Sequence, residues 1–237
     1  MKVPNFAVCL LFISELAVLG AAQGSPADSN PVILGSATYT MPQSAIDADI
    51  GGTVVIAIRI DESGKPTKAV LASGPMWPCG GKTPTRALDE LASSLADVAM
   101  KLKFSPAIKD GNPVERDIGL TIQLKNPNLE TPAVDIGPVH AKPKATLVNG
   151  GVLNGKAIQL PKPAYPVEAR RNRDSGTVNV LVYIDEEGKI LRAGAVSGAP
   201  TLQWAAREAA CGAKFSPTTL VGSPVKVSGV ITYNFVP

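Results

Sequence analysis

Apolar residues alternate with other residues along a stretch of the C-terminal half of the chain. The alternating apolar positions are Val178, Val180, Val182 and Ile184. This period of two predicts a strand with one buried face. Residues 185–188, Asp-Glu-Glu-Gly, then predict a hairpin turn, because a glycine late in a four-residue turn supplies the positive φ that closes it. A returning strand is therefore predicted over residues 189–196.

Helical spacing flanks this hairpin on both sides. A short helix is predicted over Pro166 to Arg173, and a longer one over Pro200 to Cys211, ending at Gly212. The last element is a long strand whose predicted inward residues are Val225, Val227, Ile231, Tyr233 and Phe235. The order helix–strand–strand–helix–strand predicts an α+β fold in which a helix packs on a small antiparallel sheet of about three strands.

The N-terminal half repeats this pattern. Gly52–Asp61 aligns with Gly176–Asp185 at an offset of 124 residues. After a surplus of 13 residues around positions 76–84, Phe104-Ser-Pro aligns with Phe215-Ser-Pro at an offset of 111. Apolar residues at helical spacing also recur there, at Leu91, Leu95, Val98 and Leu102. The sequence therefore predicts two tandem small domains, at residues 31–126 and 161–237, each with its own core.

A proline-containing segment separates the two copies. Residues 127–160 contain prolines at 127, 132, 138 and 143 and few apolar residues, which predicts an extended linker. The single histidine, His140, lies in this segment and is predicted to be solvated. One histidine excludes most catalytic triads and histidine-rich metal sites.

The N-terminus has the pattern of a secretory signal peptide over residues 1–24. Lys2 is followed by an apolar run of about 15 residues and then by Ala21-Ala22-Gln23. We therefore expect an exported protein of the periplasm or cell envelope. An uncleaved inner-membrane anchor is the alternative, although Glu15 interrupts the run and a spanning helix needs about 20 apolar residues.

Two cysteines, Cys79 and Cys211, remain after the signal segment. In an oxidising compartment they could form one disulfide that links the two halves of the chain. The alternative, which the residues alone favour, is two half-buried apolar side chains.

Charge and side-chain chemistry exclude several functional classes. A net charge of +3 is too small for a protein that neutralises many nucleic-acid phosphates. Acidic residues cluster at 61–62 and 185–187 and could in principle act in acid–base chemistry or bind a cation, but these positions favour turn chemistry. We predict no catalytic residue, no cofactor, no metal site and no small-molecule substrate.

The motifs of the second copy closely resemble the C-terminal domain of the TonB energy-transducer family. They comprise Tyr165-Pro166-x-x-Ala-Arg, the alternating strand from Gly176 with its Asp-x-x-Gly turn, the alanine-rich helix, and Phe215-x-Pro with a later Gly-x-Pro-Val. Together they cover about 73 residues in order. The first copy keeps the hairpin and the Phe-x-Pro segment, but it has Met41 in place of the tyrosine, so it is a divergent member.

The resemblance implies a helix-backed three-stranded sheet that receives an extended segment of an outer-membrane transporter. An exposed sheet edge has unpaired backbone groups that an incoming strand can satisfy. The implied contact regions follow the Tyr-Pro pair and begin the last strand. The candidate partner-binding residues are Tyr165, Pro166, Glu168, Arg170, Arg171, Arg173, Val225 and Val227.

We therefore expect a non-enzymatic envelope protein that binds extended segments by strand addition and is linked to TonB-dependent transmembrane transport. Its partner would be an outer-membrane transporter or another envelope protein, and not a nucleic acid. The alternatives are a structural component that dimerises or assembles through its sheet edges, and a membrane-anchored transducer. The second copy, with 10 basic and 6 acidic residues over 150–237, better suits an acidic partner. Trp77 and Trp204 would be either partner anchors or partly buried structural residues.

Overall fold

A computed structural model describes residues 28–126 and 147–236, together with the backbone of residues 8–10. Most of the predicted signal peptide lies outside the described residues. The same holds for residues 127–146 of the predicted linker, which include His140. Residues 28–126 are called the N-terminal unit below, and residues 147–236 the C-terminal unit.

The N-terminal unit contains two helices, and its central sheet is antiparallel. It is preceded by β1 (Val8–Leu10), which pairs with β2. Its own elements are β2 (Thr38–Thr40), α1 (Gln43–Asp47), β3 (Gly52–Ile60), β4 (Pro66–Ser73), β5 (Trp77–Pro78), α2 (Thr85–Lys101), β6 (Ala107–Lys109), β7 (Asn112–Val114) and β8 (Arg116–Leu124).

The C-terminal unit begins before the predicted domain. Its elements are β9 (Leu147–Val152), a 3-10 turn (Asn154–Lys156), β10 (Ala157–Gln159), α3 (Val167–Asn172), β11 (Gly176–Ile184), β12 (Ile190–Ser197), α4 (Pro200–Cys211), β13 (Lys214–Phe215), β14 (Thr219–Leu220), β15 (Ser223–Pro224) and β16 (Lys226–Phe235).

Both units follow the predicted order helix–strand–strand–helix–strand. In the N-terminal unit the sheet order is β4-β3-β8, and α2 packs on it through Leu91 and Leu95, which are fully buried. In the C-terminal unit α4 packs on the sheet through the equally buried Leu202 and Ala206. The predicted α+β class is confirmed, and α4 has the predicted bounds.

The predicted sheet of about three antiparallel strands is wrong for the C-terminal unit. That sheet has five strands in the order β5-β12-β11-β16-β9. The two outer strands, β5 and β9, come from outside residues 161–237, and β9 is parallel to β16. Their pairing joins residues far apart in sequence, which local periodicity does not reveal.

The described part of the predicted linker is also not an extended spacer. Residues 147–160 contribute β9, the 3-10 turn and β10, and β10 pairs with β13. Leu153, with 2% of its surface exposed, belongs to the hydrophobic core of the C-terminal unit. The structured unit therefore starts about 14 residues before the predicted domain boundary.

The hairpin glycine and the Phe-x-Pro segment recur in both units because, within each unit, their backbones are in direct contact. Gly64 and Gly188 both have φ of 86°. A Cβ on Gly188 would lie 2.0 Å from the Phe215 carbonyl oxygen, and one on Gly64 would lie 2.3 Å from that of Phe104. The amide of each phenylalanine donates to the carbonyl of its glycine. Only glycine fits such a close backbone approach.

The acidic residues at the hairpins form the turns, as their positions favoured. Asp61 Oδ1 accepts hydrogen bonds from the amides of Ser63 and Lys65, both at 2.9 Å, and Asp185 Oδ1 accepts equivalent bonds from Glu187 and Lys189. A hydrogen bond from the Ser63 side chain and backbone bonds lower the pKa of Asp61. Such side-chain-to-backbone bonds are typical of Asx turns.

The predicted inward set of the last strand is buried, and one of its members carries a polar group. Tyr233 is 6% exposed, and among the described residues its hydroxyl has no hydrogen-bond partner. Burial raises the pKa of Tyr233 to about 12. Phenolate formation is therefore less favourable in the folded chain than in the unfolded chain.

We expect Tyr233→Phe to keep or raise stability at neutral pH, by up to about 1 kcal/mol, because it removes a buried hydroxyl without a partner. Because the pKa of Tyr233 is higher in the folded chain than the unfolded value of about 10, stability is complete below pH 10 and is lost as the pH rises through the folded value. Urea unfolding between pH 8 and 12 should show a smaller alkaline loss for Tyr233→Phe than for the half-buried control Tyr183→Phe. Equal losses would contradict this assignment.

Candidate partner-binding site

The edge of β16 is occupied by a strand of the chain itself. β9 runs parallel to β16 and pairs Leu147 with Lys226, Val148 with Val227 and Asn149 with Ser228. The register then shifts, so that Val152 pairs with Val230. The start of the last strand, which the sequence predicted as a contact region, is therefore covered by β9.

The side chains of β9 contribute little to the core. Leu147, Val148 and Gly150 are half-buried, whereas Asn149, Gly151 and Val152 are exposed. Val152 keeps 66% of its surface in solvent. Because burial of apolar surface stabilises a strand only in proportion to the area removed from water, the backbone pairing with β16 is the main attachment of β9.

The two residues after β9 are held firmly. The Leu153 amide donates to the Val230 carbonyl at 2.9 Å, and the Leu153 side chain is buried. The Asn154 side chain donates to the Thr232 carbonyl at 2.7 Å and accepts from the Thr232 amide at 2.9 Å. Asn154 thus satisfies both backbone groups of one residue of β16 beyond the end of β9.

The opposite edge of the same sheet is covered by β5, which belongs to the surplus segment of the N-terminal unit. Trp77 pairs with Ala193 and Pro78 with Arg192. A disulfide between Cys79 and Cys211 then joins this segment to the end of α4. The preference for two separate apolar cysteine side chains was therefore wrong, because the pairing of β5 with β12 brings Cys79 to α4.

A buried arginine reinforces this contact. Arg207, 4% exposed, lies with its guanidinium 3.8 Å from the centroid of the Trp77 ring. It donates to the carbonyls of Ala193, Trp77 and Pro78 at 2.9–3.2 Å and forms an ion pair with Glu208. Burial lowers the pKa of Arg207. We call Trp77, Cys79, Trp204, Arg207 and Cys211 the clasp.

The two tryptophans of the sequence meet within the clasp. The rings of Trp77 and Trp204 are stacked with centroids 5.8 Å apart. Trp77 is 8% exposed and Trp204 is 42% exposed, so the first is structural and the second keeps one face in solvent. Sequence reasoning missed Arg207. The available signal was the spacing of residues 204, 207 or 208 and 211, which share one face of α4.

The candidate residues near α3 form a separate group. The Tyr165 hydroxyl donates to the Asp174 carbonyl, its ring packs edge-on against Phe235, and the Arg170 guanidinium lies 5.7 Å from the Tyr165 ring centroid. The remaining charged candidates near α3 are exposed, and Pro166 is half-buried and precedes the helix. The residues in this group are Tyr165, Pro166, Glu168, Arg170, Arg171 and Arg173.

The structure does not bring the α3 group together with the start of β16. Val225 and Val227 are 7% and 5% exposed and face the core, so only backbone groups of this region are available to a partner. Tyr165 contacts Phe235 at the other end of β16. Val227 and Phe235 are eight positions apart, which is about 26 Å along a strand.

The C-terminal unit is a small α+β domain in which β5 and β9 pair with the two edges of the β12-β11-β16 sheet. Residues 161–237 match a family model described as "Gram-negative bacterial TonB protein C-terminal". The matched region is about a third of the chain, and no second copy is detected in the N-terminal half. No curated protein and no solved structure matches the chain.

The match assigns a coarse role to residues 161–237. TonB C-terminal domains are non-catalytic and periplasmic and interact with outer-membrane transporters. The domain therefore indicates a role in TonB-dependent transport. The Cys79–Cys211 disulfide is consistent with export. Within the described residues, no helix combines the length and the apolar character needed to cross a membrane.

Proposed function

We propose that this protein is a non-enzymatic envelope protein whose C-terminal domain receives an extended segment of a protein partner by strand addition at the edge of β16. The observation that carries the proposal is the pairing of β9 along β16. This edge accepts a short strand in parallel orientation, although the side chains of that strand bury little surface.

Strand addition needs no reactive side chain. The incoming backbone supplies the hydrogen bonds, and neighbouring side chains provide selectivity. At the start of β16 the inward side chains of Val225 and Val227 belong to the core. A partner strand would therefore form hydrogen bonds with the backbone of residues 226–230.

The family match and the disulfide support an exported location and an outer-membrane transporter as partner, and both are part of the proposal. The N-terminal unit would be a divergent copy of the same domain, which its equivalent order of helices and strands supports. Its role would include closing the β12 edge through β5. The excess of basic residues in the C-terminal unit favours a partner with acidic residues near the added strand and speeds encounter.

Site-specific photo-crosslinking in intact cells tests this function. We expect a benzoylphenylalanine at Ser228, on the β16 edge, to crosslink to an extended segment of an envelope protein. The same probe at Thr67, exposed on β4 of the N-terminal unit, is the control. Equal crosslinking from both positions, or none from Ser228, would contradict strand addition at β16.

A further inference from the structure

The two outer strands of the five-stranded sheet are attached in different ways. β5 is fixed by the Cys79–Cys211 disulfide, by two hydrogen bonds from Arg207 to the carbonyls of Trp77 and Pro78, and by the buried ring of Trp77. β9 has no comparable side-chain anchor between residues 147 and 152. One edge is therefore covalently closed, and the other is closed by pairing of the backbone.

We propose that β9 is an exchangeable internal ligand: it covers the β16 edge in the free protein, and a partner strand displaces it. This inference rests on the proposed function and adds its regulation. Partner binding at β16 then competes with an intramolecular strand. The apparent affinity for the partner equals the intrinsic affinity multiplied by the fraction of molecules in which β9 is released. The β12 edge stays closed by β5 in both states.

The direction of exchange follows from the anchor beyond β9. Leu153 is buried, and Asn154 bonds both backbone groups of Thr232, so this end stays in place. β9 therefore separates from its Leu147 end, which exposes β16 first at Lys226 and Val227. An incoming strand occupies the vacated edge up to Leu153 without disturbing the core.

The space beside β16 also defines the chemistry of the partner strand. A Cβ on Gly150 would lie 2.8 Å from Leu153 Cδ2 and 2.9 Å from Val227 Cγ1. Because Leu153 and Val227 remain in place, a partner strand needs glycine at the position that Gly150 occupies. A larger residue fits there only if Leu153 shifts. β9 has two apolar residues, one polar residue and two glycines before Val152, and it carries no charge. The site thus favours an extended segment with a glycine after its third residue.

A fluorescent peptide with the sequence of residues 147–152 is the probe. Fluorescence anisotropy should show weak binding to the full chain and binding about tenfold tighter to Gly150→Val, because the displaced β9 no longer competes. Gly155→Val is the matched control, since a Cβ at Gly155 meets no atom within 4 Å. It should bind the peptide as the parent does.

A second variant tests the exchange in case Gly150→Val does not fold. Asn154→Ala removes the two hydrogen bonds to Thr232 without adding bulk, and it should also tighten peptide binding. Tighter binding by either folded variant, with the control unchanged, supports exchange.

Different results would overturn the exchange of β9 alone or the proposed strand addition at β16 as well. Equal affinity of the peptide for the parent chain and for both variants would overturn the exchange but leave strand acceptance at β16 standing. No binding to any variant, while amide exchange shows β9 released, would overturn both. Light scattering could also show that the variants form a dimer that excludes the peptide. The β16 edge would then be occupied by a second copy of the chain, and this result would also overturn exchange with a partner strand.

Discussion

Gly188→Val is expected to destabilise the C-terminal unit by about 3–5 kcal/mol, which is enough to unfold many small domains. The backbone of Gly188 has φ of 86°, where a β-branched residue is strained. In addition, the new Cβ would lie 2.0 Å from the Phe215 carbonyl oxygen. Relief of this overlap would move the segment that leads from α4 into the last strand.

A matched glycine separates the two causes. Gly222 has φ of 80°, but a Cβ there meets no atom within 4 Å. Gly222→Val should therefore cost only the conformational strain, about 1–2 kcal/mol. Hydrogen exchange of the β11 amides in increasing urea reports the stability of this unit alone. Equal losses for the two variants would show that the contact with Phe215 does not explain the recurring glycine.

Arg207→Ala is expected to lower the stability of the contact between the two units by about 3–5 kcal/mol. The change removes the donor of the Ala193, Trp77 and Pro78 carbonyls. Water replaces this donor where the space opens to solvent, and one carbonyl that stays unsatisfied costs about 1–3 kcal/mol. The change also removes a desolvated cation–π contact with Trp77, about 2 kcal/mol. Lysine should not restore these bonds, because an ammonium lacks the planar fork of a guanidinium.

The measurement is amide exchange at β5 and β12, combined with thermal unfolding. Arg171→Ala, an exposed change on α3, is the control and should stay within about 0.5 kcal/mol of the parent. Cys79→Ser should weaken the same contact by about 2–4 kcal/mol through loss of the disulfide. If Arg207→Ala leaves the exchange of β5 unchanged, the clasp does not hold the two units together.

Elements defined by local patterns were predictable from the sequence. The helix over Pro200–Cys211 and the strand pair around Asp185 follow from spacing and turn chemistry, which act over a few residues. The repeated Gly and Phe-x-Pro positions were visible as a pattern. Their cause, a backbone contact between Gly188 and Phe215, required the structure.

The outer strands could not be predicted in the same way. β9 has two glycines and no alternation, so it resembled a linker, and its partner residues are about 80 positions away. β5 is two residues long and belongs to a segment that reads as a loop. Disulfide pairing cannot be derived from two cysteines alone, since it depends on their separation in space.

The sequence indicated the region of the candidate site, but it did not indicate which side chains are accessible there. The start of the last strand is paired with β9 of the same chain, and the side chains of Val225 and Val227 face the core. Its role as a partner contact stays a prediction. Arg207 was overlooked because its partners are backbone carbonyls of a distant segment, which have no sequence signal.

Amide hydrogen exchange of the full chain, with and without a saturating peptide of sequence 147–152, shows whether a second strand displaces β9 from β16. We expect the amides of β9 to lose protection when the peptide binds, while those of β16, β5 and β12 keep theirs. Protection of β9 that stays the same or increases at saturation would contradict this expectation, because the peptide would then bind elsewhere than on the edge of β16.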